Sequence, residues 1–383
     1  SGGGALGYAH IGVLDVLEQL RVPVDCVVGT SMGAMVGGAF ASGVRPARMI
    51  EILDRTDVVA LFDDEPPRAD IAQRVKRNDY LPLFDFTLGL GEEGIELPAG
   101  VSAGYKFELF IKKLIGSGAA GNGLVFDDLP TTFRAVATDL ETGDMKVFDH
   151  GALSSVMRAS MSLPAIIAPT LIDDRIYVDG GLVRNLPVDI GRELCGDVII
   201  AVNLGTKPLK REQIRNSLDI ARQSLLILTE QNVRRSLAEL SDLDILITPD
   251  LEGYSSSDFA AHPEIIRRGI AAALDQRGVL STLSVSDEAF QMWLDVRREK
   301  TPAPLPVTRI TALPAGEISE DVILRDIRVK PGEQFDDFEL DRDLARTFGR
   351  GDFSYIGYSL VPDGEGNRVV IEADQKPWGP GYL

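Results

Sequence analysis

Ser31 stands in Gly29-Thr30-Ser31-Met32-Gly33, a G-x-S-x-G between VDCVVG, which reads as a short strand, and MGAMVGGAFASG, which reads as a small-residue helix. That setting is the one a nucleophile elbow requires, because flanking glycines permit a tight turn that lifts the hydroxyl clear of a sheet. A serine hydroxyl attacks only once a base takes its proton. The chain has three histidines, and none carries a motif of its own. His10 lies in the helix after the opening glycines, His150 in the turn FDHGAL, and His262 at the helix start AAHPEII, where it completes the order Ser, Asp, His. Each has the plainer reading of a packed or surface residue. The better base is Asp179 in IYVDGGLVRNLPV, which follows a strand and precedes Gly180-Gly181. Alone, that tripeptide reads as an ordinary turn aspartate; combination with the other two glycine-rich loops gives it a role.

The first of those loops opens the chain. In SGGGALGYAHIGVL, Gly2, Gly4 and Gly7 have the spacing G-x-G-x-x-G. Bare amides at a helix start attract negative charge, so the loop suits either a dinucleotide phosphate or a reaction oxyanion. A dinucleotide fold wants an acidic residue at the far end of its second strand. The one candidate, Asp25, opens that strand, and Gly29-Thr30-Ser31 stands where the carboxylate belongs. The oxyanion reading thereby gains a nucleophile at the same end of the sheet.

Taken together and in this order, GGGALG, GTSMG and DGG resemble the patatin-like phospholipases, serine lipid acyl hydrolases that use a Ser-Asp dyad and no histidine. ATDLETG and RASMSLPAIIAP resemble segments of the same family, and the resemblance spans roughly residues 1 to 300. It implies Ser31 as nucleophile, Asp179 as base, and the Gly2, Gly3 and Gly4 loop with the Met32 amide as oxyanion hole. It implies no cofactor and no metal. Leu6 stands where that family often carries Arg or Lys, so charge assistance from that position is lost while backbone amides remain.

These loops need a sheet to hold them. IGVLDVLEQL has helical spacing, FRAVATDL, ETGD and MKVFD make strand, turn and strand, and CGDVIIAVNLG reads as a buried strand. Ser217 to Leu240 reads as a long helix, LDILITPD as a strand and FAAHPEIIRRGIAAAL as a further helix. The alternation is that of an α/β domain. With the resemblance, it becomes a patatin-like three-layer α/β/α domain over 1–299 with a mostly parallel central sheet. Lys300 to Pro306, KTPAPLP, is stiff and without apolar periodicity, which marks a linker.

Beyond it VTRITAL, SEDVILRDI capped by Ser319, FDDFELDRDLARTFGRG, FSYIGYSLVP and NRVVIEAD read as β-α-α-β-β, with a hairpin around DGEG. This order, with FGRGDFSYIGYSLVP and the closing DQKPWGPGYL, resembles a POTRA domain over 307–383. A patatin-like domain followed by a POTRA domain is similar to the type Vd autotransporters. The resemblance implies a chain secreted or displayed at the bacterial outer membrane, a periplasmic POTRA domain and an outer-membrane β-barrel beyond Leu383. A strand feeding the first glycine loop is expected before Ser1.

The net charge of −19 over 383 residues excludes nucleic acid as an electrostatic partner and equally excludes simple charge docking on anionic lipid. Phospholipid or a membrane surface remains the expected substrate, met through apolar contact, and a homodimer is a further expected partner. The segment YLPLFDFTLGLGEEGIELPAGVSAGYKFELFIKKLIG reads first as core packing and second as an acyl-chain groove or lid. FDDEPPRAD and FDDFELDRD read as solvated faces. Cys26 and Cys195, each beside a Val or Ile run, read as two buried free thiols. No run is long enough for a membrane span, so the chain itself is expected to be soluble. A nucleotide-binding enzyme and a non-enzymatic lipid- or partner-binding protein are the competing classes.

Overall fold

The computed structural model describes residues 1–62, 89–91, 94–96, 100–102, 104–116, 119, 123–205, 208–301, 306–333 and 337–375. The chain divides into two compact units: Ser1–Val59 with Gly123–Leu163 and Pro169–Pro302, and Ala60–Asn122 with Pro164–Ala168 and Ala303–Leu383.

The first unit begins with helix α1 (Ala9–Gln19), strand β1 (Cys26–Thr30), helix α2 (Met32–Ala41) and helix α3 (Pro46–Asp54). All ten residues of α2 are buried. Its glycines and alanines let it lie flat on the sheet, as the run of small side chains leads one to expect. Strand β2 (Thr132–Asp139) pairs parallel to β1, and β3 (Met145–Phe148) returns antiparallel on β2. Helix α4 (Leu153–Met161) follows, then β4 (Thr170–Ile172) and β5 (Arg175–Asp179). The resulting five-stranded sheet runs β1-β2-β5-β4, with β3 on β2.

Its strands are mixed, which corrects the expectation of a mostly parallel sheet. Only β1 and β2 are parallel; β5 runs antiparallel to β2, and β4 antiparallel to β5. The reason is local. Asp173 and Asp174 both adopt left-handed backbone, φ 51° and 58°, and reverse the chain in a two-residue hairpin, so no helix is spent on a crossover.

Helix α5 (Val188–Cys195) packs on β1, and β6 (Ile200–Val202) leads on to helix α6 (Ser217–Leu237). Asn216 and Asp219 close a capping box at the start of α6. Strand β7 (Ile245–Ile247) pairs parallel to β6, and α7 (His262–Asp275) packs along α1. Val13, Val16 and Leu17 of α1 share a core with Ile245, Ile247 and Ala273. Helix α8 (Asp287–Lys300) closes the unit through Arg297, whose guanidinium lies between the rings of Phe40 and Trp293 and donates to the Phe40 carbonyl at 2.7 Å.

Cys26 and Cys195 are joined in a disulfide with a Cα separation of 6.3 Å. The expectation of two free buried thiols is thereby corrected. The apolar runs beside both cysteines belong to β1 and to the approach to β6, while Cys195 itself is exposed at the end of α5.

In the second unit, β8 (Val307–Ala312), α9 (Glu320–Leu324), α10 (Asp337–Phe348), β9 (Phe353–Asp363) and β10 (Gly366–Gln375) give the order β-α-α-β-β. The sheet runs β8-β10-β9, with β8 parallel to β10 and β9 antiparallel to it. Ser319 stands before α9 but makes no side-chain cap bond. Asp343 departs from the solvated-face reading of its run: it is fully buried, accepts from the Arg328 amide and pairs with Arg346.

The helix Tyr105–Ile115 and the strand Gly100–Ser102 belong to this same unit. Phe107, Leu109, Phe110, Ile111 and Leu114 of that helix are buried, with Leu109 in a core with Ile356, Leu360 and Ile371. Core packing is therefore what the helix at the end of the expected groove segment does. Residues 80–88 of that segment, 63–70 of FDDEPPRAD, 302–305 of the linker and 376–383 lie outside the described residues.

Candidate active site

Three loops converge at one end of β1. The first is the turn from β1 into α2. Ser31 has φ 54° and ψ −125°, a conformation that L side chains rarely adopt, while its neighbours enter the strand on one side and the helix on the other. The turn closes so tightly that a Cβ on Gly29 would stand 2.3 Å from the Gly33 carbonyl oxygen. The sequence G-x-S-x-G is thus demanded by backbone contact. Ser160, at the end of α4 and wholly buried, holds the turn: its Oγ accepts from the Ser31 amide at 2.9 Å and donates to the Val136 carbonyl at 2.5 Å.

The second loop follows β5. The Asp179 amide donates to the Ser162 carbonyl at 2.9 Å, and the Asp179 carbonyl accepts from Thr138 Oγ1 at 2.9 Å. Its carboxyl accepts from the Gly181 amide at 2.7 Å. Burial raises its pKa to about 6, against the lowering effect of the Gly181 amide and of the neighbouring Ser31 side chain. A buried carboxyl beside a strained serine, with its pKa raised toward neutrality, can accept a proton in that range.

The third loop is the opening one. Gly2 lies against Ser31, such that a Cβ on Gly2 would stand 2.8 Å from the Ser31 Cβ. Gly4 has φ +57°, which lets the chain pass beneath the Ser256 carbonyl and turn into a short 3-10 helix. The Gly2 amide is committed to Asn185, donating to its Oδ1 at 3.1 Å and to its carbonyl at 3.2 Å. Among the described residues, no hydrogen bond takes up the amides of Gly3, Gly4 or Met32.

The structure thus gathers Ser31 and Met32, Asp179 and Gly2 from three separate stretches of chain. The histidines stand elsewhere. His10 is buried with Nε2 2.7 Å from the Ser1 carbonyl, and burial drives its pKa down to about 3, so it is neutral and donates there. His150 pairs with Asp149 at 2.5 Å, and His262 contacts Asp54 at 3.0 Å. No group of His, Cys, Asp and Glu that could hold a metal occurs among the described residues.

Sequence reasoning missed three residues at this site: Ser160, Asn185 and Asn232. Ser160 lies inside RASMSLPAIIAP and Asn185 six residues after Asp179, so both were within reach of a reading that asked what fixes each loop. Asn232, in the middle of α6, has no signal beyond being a polar residue on a packed helix.

Residues 1–191 match the family model described as patatin-like phospholipase. An uncharacterized NTE family protein of Mycobacterium tuberculosis is 32% identical over 202 residues, covering 53% of this chain and 47% of its own length. A patatin-like phospholipase domain-containing protein of Caenorhabditis elegans is 30% identical over 207 residues, 54% of this chain and 13% of that protein. The chain therefore spans less than half the length of these relatives. Among solved structures, VipD from Legionella pneumophila aligns with a TM-score of 0.37 and 16% identity over 73% of this chain and 65% of that one.

Proposed function

Because the chain carries a patatin-like phospholipase domain over residues 1–191, we propose that it is a serine lipid acyl hydrolase with Ser31 as nucleophile and Asp179 as base. The observation that carries this reading is the convergence of the strained Ser31 turn, the opening glycine loop packed against it and the buried Asp179 carboxyl beside it.

In this mechanism Asp179 accepts the hydroxyl proton as Ser31 Oγ bonds to the carbonyl carbon of a fatty-acyl ester. The carbonyl oxygen takes the electron pair, and the amides of Gly3, Gly4 and Met32 stabilise that oxyanion. Gly2, its own amide used by Asn185, contributes by placing the loop. Collapse breaks the ester C–O bond, and the departing lysophospholipid alkoxide takes the proton from Asp179. Water then adds to the acyl-serine with Asp179 again accepting a proton, and collapse returns a proton to Ser31 Oγ and frees the fatty acid. The three histidines, placed elsewhere, take no part.

Labelling with a fluorophosphonate, followed by mass-spectrometric mapping, tests the assignment together with fatty-acid release from phospholipid micelles. Wild type is expected to label at Ser31 and to release fatty acid, and Ser31→Ala to do neither. Undiminished hydrolysis by Ser31→Ala, or by Asp179→Asn, would end the proposal.

For the second unit we propose a POTRA-type module on a type V secretion route. The β-α-α-β-β order and the strand order β8-β10-β9 support it, as does the likeness of FGRGDFSYIGYSLVP. Protease added to intact cells expressing the full gene product is expected to reach residues 123–299 and to spare 307–375. Protection of both stretches from added protease counts against this route.

A further inference from the structure

We infer that Asn185 and Asn232 form a relay that holds the opening glycine loop at a fixed distance from the Asp179 turn, a positioning role that rests on the hydrolase reading above. The relay is continuous. Asn185 Oδ1 accepts from the Gly2 amide at 3.1 Å while its Nδ2 donates to the Gly2 carbonyl at 3.3 Å. The Asn185 amide donates to Asn232 Oδ1 at 2.8 Å. Asn232 Nδ2 donates to the Gly181 carbonyl at 2.8 Å, and the Gly181 amide donates to the Asp179 carboxyl at 2.7 Å. Every link of the chain Gly2, Asn185, Asn232, Gly181, Asp179 is a hydrogen bond.

The chemistry of the links explains the residue types. Gripping both the N–H and the C=O of one glycine needs a donor and an acceptor on a single short planar group, which asparagine has and aspartate lacks. Both asparagines are buried, at 5% and 7% exposure, so bulk water does not stand in for either partner. The fit leaves no slack: a Cβ on Gly2 would stand 2.6 Å from Asn185 Oδ1. Ser1 is held on one side, its carbonyl by His10 Nε2 at 2.7 Å and its hydroxyl by the Leu204 amide at 3.2 Å, and the Ala5 amide on the other by the Ser256 carbonyl at 2.9 Å; the grip on Gly2 fixes the glycines between them. With the Gly2 amide engaged, the next two amides, Gly3 and Gly4, are the ones left for an oxyanion. Thr229 Oγ1, one turn before Asn232, adds a second bond to the Gly181 carbonyl at 3.2 Å and anchors the same turn on α6.

The test uses the whole chain with Asn185→Ala, Asn185→Asp, Asn232→Ala and Asn232→Asp. The first measurement needs no turnover: hydrogen–deuterium exchange of the segments 1–8 and 179–187. Asn185→Ala is expected to speed exchange in 1–8. Asn232→Ala is expected to speed it in both segments, and neither variant to change 26–41. The second measurement is hydrolysis of a soluble acyl ester. Asn185→Ala is expected to lose about 10²-fold in kcat with little change in KM, the mark of a disturbed oxyanion site. Asn185→Asp, which keeps the acceptor and loses the donor, is expected to fall between it and wild type. Should an alanine variant fail to fold, the aspartate variant at that position carries the test through the same exchange readout. Unchanged exchange in 1–8 for both Asn185 variants would overturn the relay, as would an unaltered kcat in Asn185→Ala. A wild type that neither hydrolyses nor labels would sink the hydrolase reading instead, and the exchange data would still decide the relay.

Discussion

Ser160 and Ser31 are joined by a 2.9 Å hydrogen bond from the Ser31 amide to a hydroxyl that itself donates to Val136, so a buried side chain on α4 sets the backbone of the nucleophile. Ser160→Ala leaves that amide buried without a partner, which costs about 1–3 kcal/mol. The expected result is a lowered denaturation midpoint and a fall in kcat. Ser160→Thr, which keeps the hydroxyl, is expected to recover part of both. Equal stability of wild type and Ser160→Ala in urea would remove this role.

The strain at Ser31 gives a second expectation. Glycine adopts φ 54° without the Cβ penalty, whereas alanine does not. On the proposed mechanism both Ser31→Gly and Ser31→Ala are expected to lose hydrolysis, and Ser31→Gly is expected to be the more stable by roughly 1 kcal/mol. Thermal unfolding of the two inactive variants side by side measures the difference.

The raised pKa of Asp179 fixes the pH behaviour. In its proposed role as base it must be ionised, so kcat/KM is expected to rise tenfold per pH unit below about 6 and to level off above it. Stability runs the other way. The folded state holds this proton more tightly than the unfolded chain, whose ordinary value is 3.8, so the contribution weakens as pH rises from there to about 6. A shift of about two units corresponds to roughly 3 kcal/mol. Asp179→Asn is therefore expected to be inactive yet more stable than wild type at pH 7, with the gap closing toward pH 3. Denaturant titrations at both pH values test the sign.

The disulfide between Cys26 and Cys195 spans a sequence separation of 169 residues. In the chain-entropy account, a loop of that size stabilises by about 5 kcal/mol. Cys26 starts β1 and Ser31 follows its end, so the bond lies at the far end of the strand from the candidate site. Reduction, or Cys26→Ser with Cys195→Ser, is expected to lower resistance to denaturant while sparing kcat at moderate temperature. A loss of kcat without a loss of stability contradicts that separation.

Much of this architecture was legible because its signals are local. The helical period of IGVLDVLEQL, the small residues of MGAMVGGAFASG and the turn in ATDLETG each depend on neighbours in sequence, and each appears as α1, α2 and the β2–β3 turn. Asp139 even caps that last turn, accepting from the Glu141 amide at 3.0 Å and the Thr142 amide at 3.3 Å. Strand direction was not legible in the same way. Whether β5 runs with or against β4 depends on the hairpin at Asp173 and Asp174, which a pattern of alternating elements does not reveal. The pairing of Cys26 with Cys195 and the grip of Asn232 on Gly181 are long-range contacts between polar or sulfur groups, and no periodicity announces them. At the candidate site the loops carrying Ser31, Asp179 and Gly2 could be read as a set, as each is marked by its own glycines. The groups that hold their backbones could not.

The helix Tyr105–Ile115 shares its core with strands that come last in the sequence: Leu109 packs with Ile356 and Ile371, and Glu108 accepts from the Tyr355 hydroxyl at 2.8 Å. During synthesis this helix leaves the ribosome with its apolar side uncovered and must wait for some 240 further residues before its partners arrive. A polypeptide stopped short of Val307 would keep that surface bare, which makes early termination a route to aggregation and gives nascent-chain chaperones a defined stretch to guard.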